Sequence, residues 1–438
     1  MHINEYEKLD AVGMAELVRK KEVKPSELTE EAIRRVEQHN HAVNAEDYKN
    51  YEYARKLAAE QDTQIASGAA QGEQPFFGVP FLLKDILGDF EGWPTTIGSR
   101  MLQKRVLPKT CFYVDKLLKS GLVFLGKSNS PEYGILPTTE NTLYGPARNP
   151  WNLDFSTGGS SGGAAAAVAS GMFPGAHGND GGVSIRIPAS SCGVIGFKPT
   201  RARNSLGPDF GHIIAGFVDE HVLTRTVRDS AAFLDATQGH IPGDPYMSWP
   251  MTRPFSVEVG RDPVRLRIAY AKTKITGEPV QPGAPPQPGE LEPLTQAVMA
   301  AGGTVSAPEF QLSEMIAQGV GREMARFQQT YDIWLTPTMP KPTIRNGMVD
   351  VNETDLEKAY ANIPDYNQFC CIQNATGQPA VSLPLTTDKD GKPLGLMFSA
   401  RNGEESTLFQ LASQLEEAMP WKDRKAVAFR KAAAAPVA

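Results

Sequence analysis

The stretch from Phe155 to Pro199 limits what this chain can fold into more than any other part of the sequence. It holds two serine clusters flanked by glycines, one with Ser160 and Ser161 and the other with Ser184, and an alanine-rich segment lies between them. Glycine costs backbone entropy, and it is useful where a chain must turn sharply or expose backbone N–H groups. A serine held in such a loop has a defined hydroxyl position beside free N–H donors. These are the groups needed to attack a carbonyl and to bind the resulting oxyanion, so the stretch indicates a catalytic loop.

Flexible linkers are the general alternative for a segment rich in glycine and serine. This segment differs from a linker because it also carries Ile185, Ile187, Val194, Ile195 and Phe197. A solvated linker does not hold such apolar side chains. The segment is therefore interpreted as folded.

Composition and charge exclude several classes of protein. The chain has 438 residues, of which 41% are hydrophobic and 21% are charged, values typical of a globular protein with a large core. The net charge is −6 without a large cluster of lysine and arginine, so nucleic acid is not an expected partner. No apolar run approaches the roughly 18 residues of a membrane span, and the N-terminus lacks a secretory pattern. We expect a cytoplasmic protein.

The titratable residues show no pattern typical of a metal site. The seven histidines include no HExxH or similar spacing. We expect neither a metal nor a cofactor, and the expected partner is a small-molecule substrate. The oligomeric states left open are a monomer and a homodimer.

Short apolar runs alternate with amphipathic helical patterns along the whole chain. Apolar runs of strand length occupy residues 77–85, 122–125 and 331–336, and helical patterns occupy residues 6–21, 291–301 and 406–417. This alternation predicts an α/β fold with one large mixed, mostly parallel sheet covered by helices on both faces. A Pro/Gly-rich connector is predicted at residues 277–289.

The recurrence of strands favours a single domain over residues 1–438. Its predicted parts are an N-terminal helical part (1–70), a catalytic core (75–240), a shortened variable region (241–330) and C-terminal strands with a final helix (331–420).

The window from Gly158 to Gly163 matches the GxSxG pattern of an α/β-hydrolase nucleophile elbow, once on Ser160 and once on Ser161. That elbow needs a strand directly before the serine and a helix directly after it. Residues 164–170 fit a helix, but the preceding LDFSTGG is a poor strand. An esterase that uses Ser161 is kept as an alternative.

Three separated motifs resemble the amidase signature family. They are GVPFLLKD at Gly78–Asp85, GGSSGG at Gly158–Gly163 and DGGVSIRIPAS at Asp180–Ser190. The resemblance extends from about residue 10 to 420, and AHGNDGG, RNPWNL and QGHIPGD are most similar to the branch of nylon-oligomer hydrolases and urethanases. It implies a serine hydrolase that cleaves the C–N bond of a bulky, uncharged or aryl amide or carbamate (urethane) through an acyl-enzyme.

The resemblance implies a Ser-Ser-Lys triad. Ser184 would be the nucleophile, Ser160 the bridging serine preceded by a cis peptide bond, and Lys84 the base. Chemistry makes this set coherent, because a lysine is a base only when neutral and burial disfavours its charged form. Asp85 would oppose this effect, but successive residues of a strand face opposite ways, so its carboxylate is expected to point elsewhere.

The implied oxyanion hole consists of the backbone N–H groups of Gly181, Gly182, Val183 and Ser184. The family usually has glycine where this chain has Val183. A β-branched residue restricts the backbone, so this position is where the oxyanion hole and the adjacent acyl pocket depart from the family pattern.

Three further residues are implied as supporting groups. Ser161 either assists the hydrogen bonds of Ser160 or caps the following helix. Asp180 and Arg186 are expected to brace the loop. A separate residue, His177, is interpreted as structural rather than catalytic.

Two further hypotheses belong to other classes of protein. The same family contains amidotransferase subunits that act on aminoacyl-tRNA with partner chains. A non-catalytic binding protein on the same scaffold is conceivable because of Val183.

Overall fold

A ten-stranded sheet runs through the part of the chain that the computed structural model describes, which is residues 3–68, 74–270, 289–363 and 366–422 together with 424 and 426. Its strands are β1 (Glu46–Lys49), β2 (Pro80–Lys84), β3 (Val123–Ser128), β6 (Gly175–Asp180), β7 (Ile195–Lys198), β8 (Asp219–Thr224), β9 (Ile268–Tyr270), β10 (Ile333–Pro337), β11 (Ala380–Thr387) and β12 (Pro393–Ser399). A separate two-stranded sheet is formed by β4 (Arg148–Asn149) and β5 (Asn152–Ser156).

Helices surround the large sheet. They are α1 (Ala11–Arg19), α2 (Pro25–Val43), α3 (Tyr51–Ala66), α4 (Phe112–Lys119), α5 (Gly162–Ala169), α6 (Arg186–Cys192), α7 (Val227–Thr237), α8 (Pro293–Gly302), α9 (Ala307–Thr330), α10 (Leu356–Tyr360), α11 (Cys371–Thr376) and α12 (Glu405–Ala418). Short 3₁₀ turns occupy Ile3–Lys8, Arg100–Leu102, Glu132–Gly134 and Phe255–Glu258. No helix in the described ranges has the length and apolarity that crossing a membrane requires.

The strand order in the large sheet is β1-β3-β2-β6-β8-β7-β11-β12-β10-β9. The predicted α/β class and mixed sheet are confirmed, but the prediction that most strands are parallel is wrong. Among the described strands only β2/β3, β2/β6 and β9/β10 pair in parallel, and the other six neighbouring pairs are antiparallel. Antiparallel pairing arises because β8 lies between β6 and β7, and because a tight turn joins β11 to β12.

The first apolar core surrounds the parallel part of the sheet. β2 is buried at every position, and α5 is an alanine-rich helix that is almost wholly buried, so it approaches the sheet closely. Phe76 and Phe233 stack with ring centroids 4.0 Å apart beneath β2. This packing fixes the position of β2 within the core.

The parallel pairing of β2 and β6 determines where the polar residues meet. Leu82 pairs with Ala176, so the carboxyl ends of both strands lie at the same edge of the sheet. Lys84 ends β2 and Asp180 ends β6, and α6 begins shortly after β6 at this edge. The two motifs that contain these residues are therefore adjacent in space.

The nucleophile-elbow alternative does not match this geometry. β5 ends at Ser156 and belongs to the two-stranded sheet, so no strand of the central sheet runs directly into Ser161. The helix that follows begins at Gly162, two residues before the predicted start. Of the predicted connector at residues 277–289, all but Gly289 lies outside the described residues.

Candidate active site

Lys84 lies at the carboxyl end of β2 with a fully buried side chain. Its Nζ is 2.7 Å from Ser160 Oγ, 2.9 Å from Ser161 Oγ and 2.7 Å from Asn179 Oδ1. Its backbone N–H donates to His177 Nδ1 at 3.2 Å. The lysine is thus fixed at its backbone and at its amine.

Burial lowers the pKa of Lys84 from 10.5 to about 7, because desolvation disfavours the charged amine. The negative charges of Glu220, Asp180 and Asp85 oppose this fall without cancelling it. The Asp85 carboxylate points away from the amine, as predicted, and accepts hydrogen bonds from the backbone and the hydroxyl of Thr96 at 3.0 and 2.6 Å. Burial therefore favours the neutral form of the Lys84 amine.

Ser160 sits in a tight glycine loop, and the peptide bond between Gly159 and Ser160 is cis, which agrees with the resemblance. Gly158 has a φ of +73°, a conformation that side chains rarely adopt. A Cβ on Gly159 would lie 2.2 Å from the carbonyl oxygen of Thr138. Both positions therefore require glycine.

Ser161 assists the lysine and does not cap the helix. No side-chain capping bond forms at the start of α5, where Ser161 is the N-cap. Its hydroxyl instead accepts from Lys84 and donates to the carbonyl oxygen of Asn179 at 3.2 Å. Its contacts therefore do not support the capping role, and they are made to Lys84 and Asn179 rather than to Ser160.

Ser184 lies in the loop between β6 and α6, beside the first serine cluster. The backbone N–H of Ser161 donates to the carbonyl oxygen of Ser184 at 3.1 Å, which ties the two serine clusters together. Within the described part of the chain the Ser184 hydroxyl forms no hydrogen bond, and 6% of the residue's surface is exposed. The structure thus joins Ser160 directly to Lys84, whereas Ser184 is near this pair through its backbone.

The four N–H groups expected in the oxyanion hole are not equivalent. Gly182 N–H donates to Asp180 Oδ1 at 3.1 Å, so it is already bonded within the loop. The N–H groups of Gly181, Val183 and Ser184 have no acceptor among the described residues. Three of the four expected donors therefore have no hydrogen-bond acceptor among the described residues.

Asp180 and Arg186 form the brace under this loop, and both side chains are fully buried. Arg186 Nε and Nη2 donate to the two carboxylate oxygens at 2.9 Å each, and the N–H of Ile185 adds a third bond. Burial alone raises the pKa of Asp180, but the charge of Arg186 and its hydrogen bonds hold that pKa well below its usual range. Asn374 also bonds to the Asp180 carboxylate, at 3.0 Å.

Val183 is accommodated without backbone strain. It does not have a positive φ, so the β-branched side chain is tolerated there. The side chain is buried in an apolar cluster that continues to the C-terminal half of the chain; its other buried members include Leu136, Ile187, Leu294, Met339, Ile344, Val349, Tyr366, Phe369 and Met397.

A sequence model of the Amidase family matches residues 27–285 and 283–409, which together cover most of the chain. The chain belongs to the amidase signature family. It is therefore a hydrolase that acts on amide C–N bonds, as the three motifs led us to expect.

Similar proteins support this assignment over nearly the full length of the chain. The 6-aminohexanoate-cyclic-dimer hydrolase of Pseudomonas sp. (strain NK87) is 33% identical over 95% of this chain and 96% of its own length. The acylamidase of Rhodococcus erythropolis is 30% identical over 95% of this chain and 97% of its own. A solved structure of 6-aminohexanoate cyclic dimer hydrolase complexed with substrate superposes with a TM-score of 0.87, at 30% identity over 96% of this chain and 99% of that one.

Two residues of this amidase site are not predicted from the sequence. Asn179 contacts the amine of Lys84, and a Cβ on Gly134 would lie 3.3 Å from Ser160 Oγ, so the turn at Glu132–Gly134 forms part of the wall. A polar side chain at a buried strand end was the available signal for Asn179, because buried polar groups need partners.

His177 agrees with its structural interpretation. Its Nδ1 accepts from the backbone of Lys84, and its Nε2 lies 2.5 Å from Glu220 Oε2. Since Nδ1 is an acceptor, Nε2 carries the proton and donates to the carboxylate. The pair fixes the backbone of Lys84 without touching its amine.

Proposed function

We propose that this amidase hydrolyses bulky, uncharged amides or carbamates through an acyl-enzyme on Ser184, with Ser160 as the proton relay and Lys84 as the base. The observation that carries the proposal is the 2.7 Å contact between the buried amine of Lys84 and Ser160 Oγ, one loop away from a serine with a free hydroxyl. Serine is a weak nucleophile without such a base.

In the first step Ser184 Oγ bonds to the carbonyl carbon of the substrate. For this step the Ser184 hydroxyl turns toward Ser160, because catalytic hydrogen bonds often tighten only when substrate binds. The proton of Ser184 passes to Ser160 as the proton of Ser160 passes to Lys84, which becomes an ammonium. The negative charge moves to the carbonyl oxygen.

The free N–H groups of Gly181, Val183 and Ser184 receive this oxyanion. They are fixed before the reaction by the Asp180–Arg186 brace, so little reorganisation is needed when charge develops. Loss of one such donor typically costs on the order of a hundredfold to a thousandfold in rate.

Collapse of the tetrahedral intermediate breaks the C–N bond. The proton returns from Lys84 through Ser160 to the leaving nitrogen, and an ester remains on Ser184. Water then attacks the ester and gives its proton to the same relay. The C–O bond to Ser184 then breaks as the proton returns from Lys84 through Ser160 to Ser184 Oγ. A carboxylic acid leaves from an amide or a carbonic half-ester from a carbamate, and the neutral lysine and the serine hydroxyl are restored.

Apolar surroundings of the glycine loop support an uncharged substrate. A Cβ on Gly181 would lie 3.1 Å from Val218 and 3.5 Å from Ile214, and one on Gly182 would lie 3.7 Å from Cys371 Sγ. Ile214 is 52% exposed, so it presents apolar surface beside the loop. The similar proteins include a 6-aminohexanoate-cyclic-dimer hydrolase and an acylamidase.

A substrate panel tests the choice of substrate. Aryl amides and aryl carbamates are expected to be hydrolysed with much higher kcat/KM than acetamide, because the apolar walls contribute binding energy only to a larger substrate. Preference for acetamide would refute the bulky-substrate assignment.

Covalent labelling tests the roles of the residues. Phenylmethylsulfonyl fluoride is expected to modify Ser184, as located by mass spectrometry of the digested protein. Lys84→Ala, Ser160→Ala and Ser184→Ala are each expected to lower kcat by at least about a thousandfold. Ser170→Ala, at the far end of α5, is the matched control and is expected to keep its activity. Full activity of Ser184→Ala would refute the mechanism.

A further inference from the structure

The amine of Lys84 has three hydrogen-bond partners in the described structure, and the chemistry of each partner decides where the nitrogen lone pair points. The partners are Ser160 Oγ at 2.7 Å, Ser161 Oγ at 2.9 Å and Asn179 Oδ1 at 2.7 Å. A neutral amine has two N–H donors and one lone pair, whereas an ammonium has three donors. In the neutral form one of the three partners must therefore donate a hydrogen bond to the lone pair, and the other two accept from the N–H groups.

The side-chain amide of Asn179 is oriented by a second contact. Its Nδ2 donates to the carbonyl oxygen of Ile86 at 2.8 Å, and this oxygen can only accept. The opposite orientation would place two oxygens together on one side and two N–H donors against the amine on the other. Asn179 Oδ1 therefore faces Lys84 and acts only as an acceptor.

The hydroxyl of Ser161 is also committed as an acceptor toward the lysine. Its single proton is donated to the carbonyl oxygen of Asn179 at 3.2 Å, which leaves a lone pair for Lys84. Ser160 is the remaining partner, and its hydroxyl proton is free to point at the amine.

We infer that Asn179 is a positioning residue for this amidase: together with Ser161 it takes both N–H donors of the neutral Lys84 amine and so directs the lone pair at the hydroxyl of Ser160. The inference rests on the proposed function, in which Lys84 is the base. After proton transfer the ammonium donates its third N–H to Ser160, so the same three contacts serve both protonation states without movement.

The neutrality of the Asn179 amide matters as much as its position. It accepts from the amine without adding the negative charge that would favour the protonated form. The charged groups around the lysine are engaged elsewhere: Asp85 bonds to Thr96, Asp180 to Arg186, and Glu220 on β8 to His177. The contacts of the Lys84 amine thus come from uncharged atoms.

Asn179→Asp is the decisive variant, because it keeps an acceptor in place and adds a negative charge. We expect the acidic limb of kcat/KM against pH to move to higher pH by about one to three units, and activity above the new limb to recover toward wild type. Asn179→Leu, which removes the acceptor, is expected to lower kcat about 10- to 100-fold. A purely structural asparagine would lower activity in Asn179→Asp equally at all pH values, and that result would overturn the inference.

Asn149→Asp is the matched control. Asn149 is another buried asparagine whose amide donates to backbone carbonyl oxygens, of Ser156 at 2.9 Å and Ser191 at 2.8 Å, with no bond to Lys84. Its acidic limb is expected to stay at the wild-type pH. If Asn179→Asp fails to fold, as judged by circular dichroism, Asn179→Gln and Ser161→Ala replace it. Each is expected to lower kcat with little change in KM, and unchanged kcat in folded protein would overturn the inference.

Failure of the inference and failure of the proposed function give different results. If Lys84→Ala and Ser184→Ala are inactive but the limb of Asn179→Asp does not move, only the inference is wrong. If Lys84→Ala keeps wild-type activity, the proposed function itself is wrong.

Discussion

Replacing Lys84 with methionine is expected to remove part of the pH dependence of the free energy of unfolding. In the folded protein the pKa of Lys84 is about 7, and its ordinary value is 10.5. Between these values the unfolded chain binds a proton that the folded chain does not. The free energy of unfolding of the wild type therefore rises as pH rises from 7 toward 10.5, and this contribution is lost as pH falls.

The magnitude follows from the two pKa values. One pKa unit corresponds to about 1.36 kcal/mol, so Lys84 contributes a rise of about 2 kcal/mol between pH 7 and pH 9. Methionine binds no proton in either state and lacks this rise. The variant also removes the bonds of the amine to Ser160, Ser161 and Asn179, which lowers stability at both pH values alike. The difference between the two pH values is therefore the quantity to compare.

Urea denaturation at pH 7 and pH 9 measures this difference. The free energy of unfolding of the wild type is expected to rise by about 2 kcal/mol more than that of Lys84→Met. Lys119→Met, at an exposed position of α4, is the control and is expected to follow the wild type. If Lys84→Met retains the full wild-type rise, the amine is not held neutral in the folded protein, and the argument that makes it the base fails.

Three other predictions follow from the site. With Lys84 as the base, kcat/KM of the wild type is expected to fall about fivefold from pH 7 to pH 6, because the neutral fraction of an amine with a pKa of about 7 falls by that factor. A pH–rate profile that is flat from pH 5 to 8 would contradict this expectation. Asp180→Asn is expected to lower the free energy of unfolding, measured by urea denaturation, by about 3 to 5 kcal/mol, because Arg186 then remains charged and buried without its counter-ion. A loss below about 1 kcal/mol would show that this ion pair does not brace the loop. Val183→Gly is expected to lower the free energy of unfolding by about 2 kcal/mol, because the variant loses apolar contacts. Its kcat is expected to stay within about tenfold of wild type, because the backbone N–H donor is kept. A loss of kcat without a loss of stability would show that valine shapes the oxyanion hole.

Much of the fold could be predicted because its strands are continuous apolar runs. The apolar runs at residues 77–85 and 331–336 predict β2 and β10, and their alternation with helical patterns predicts the α/β class. The direction of strand pairing could not be predicted, because it depends on which strand is inserted between two others. β8, inserted between β6 and β7, is the example: nothing local to residues 219–224 indicates its neighbours.

The site shows the same division between local and long-range information. The orientation of Asp85 followed from strand alternation, which is a local property. The bond from Gly182 to Asp180 was not foreseen, because a backbone N–H leaves no trace in the sequence. Asparagine in a glycine-rich segment is typical of turns, where it bonds to its own backbone, so the residue type alone does not mark Asn179 as a contact of Lys84.

The apolar cluster that contains Val183 and the polar residues of the candidate site come from different parts of the chain. The lysine, the serines and the glycine loop all lie before residue 200, whereas most buried members of the cluster come from residues 294–397. Substitutions in the later segment are expected to alter what packs in the cluster with Val183 while the contacts of Lys84 stay as they are. A library confined to those positions would test whether packing next to Val183 sets the substrate selectivity independently of the residues that surround Lys84.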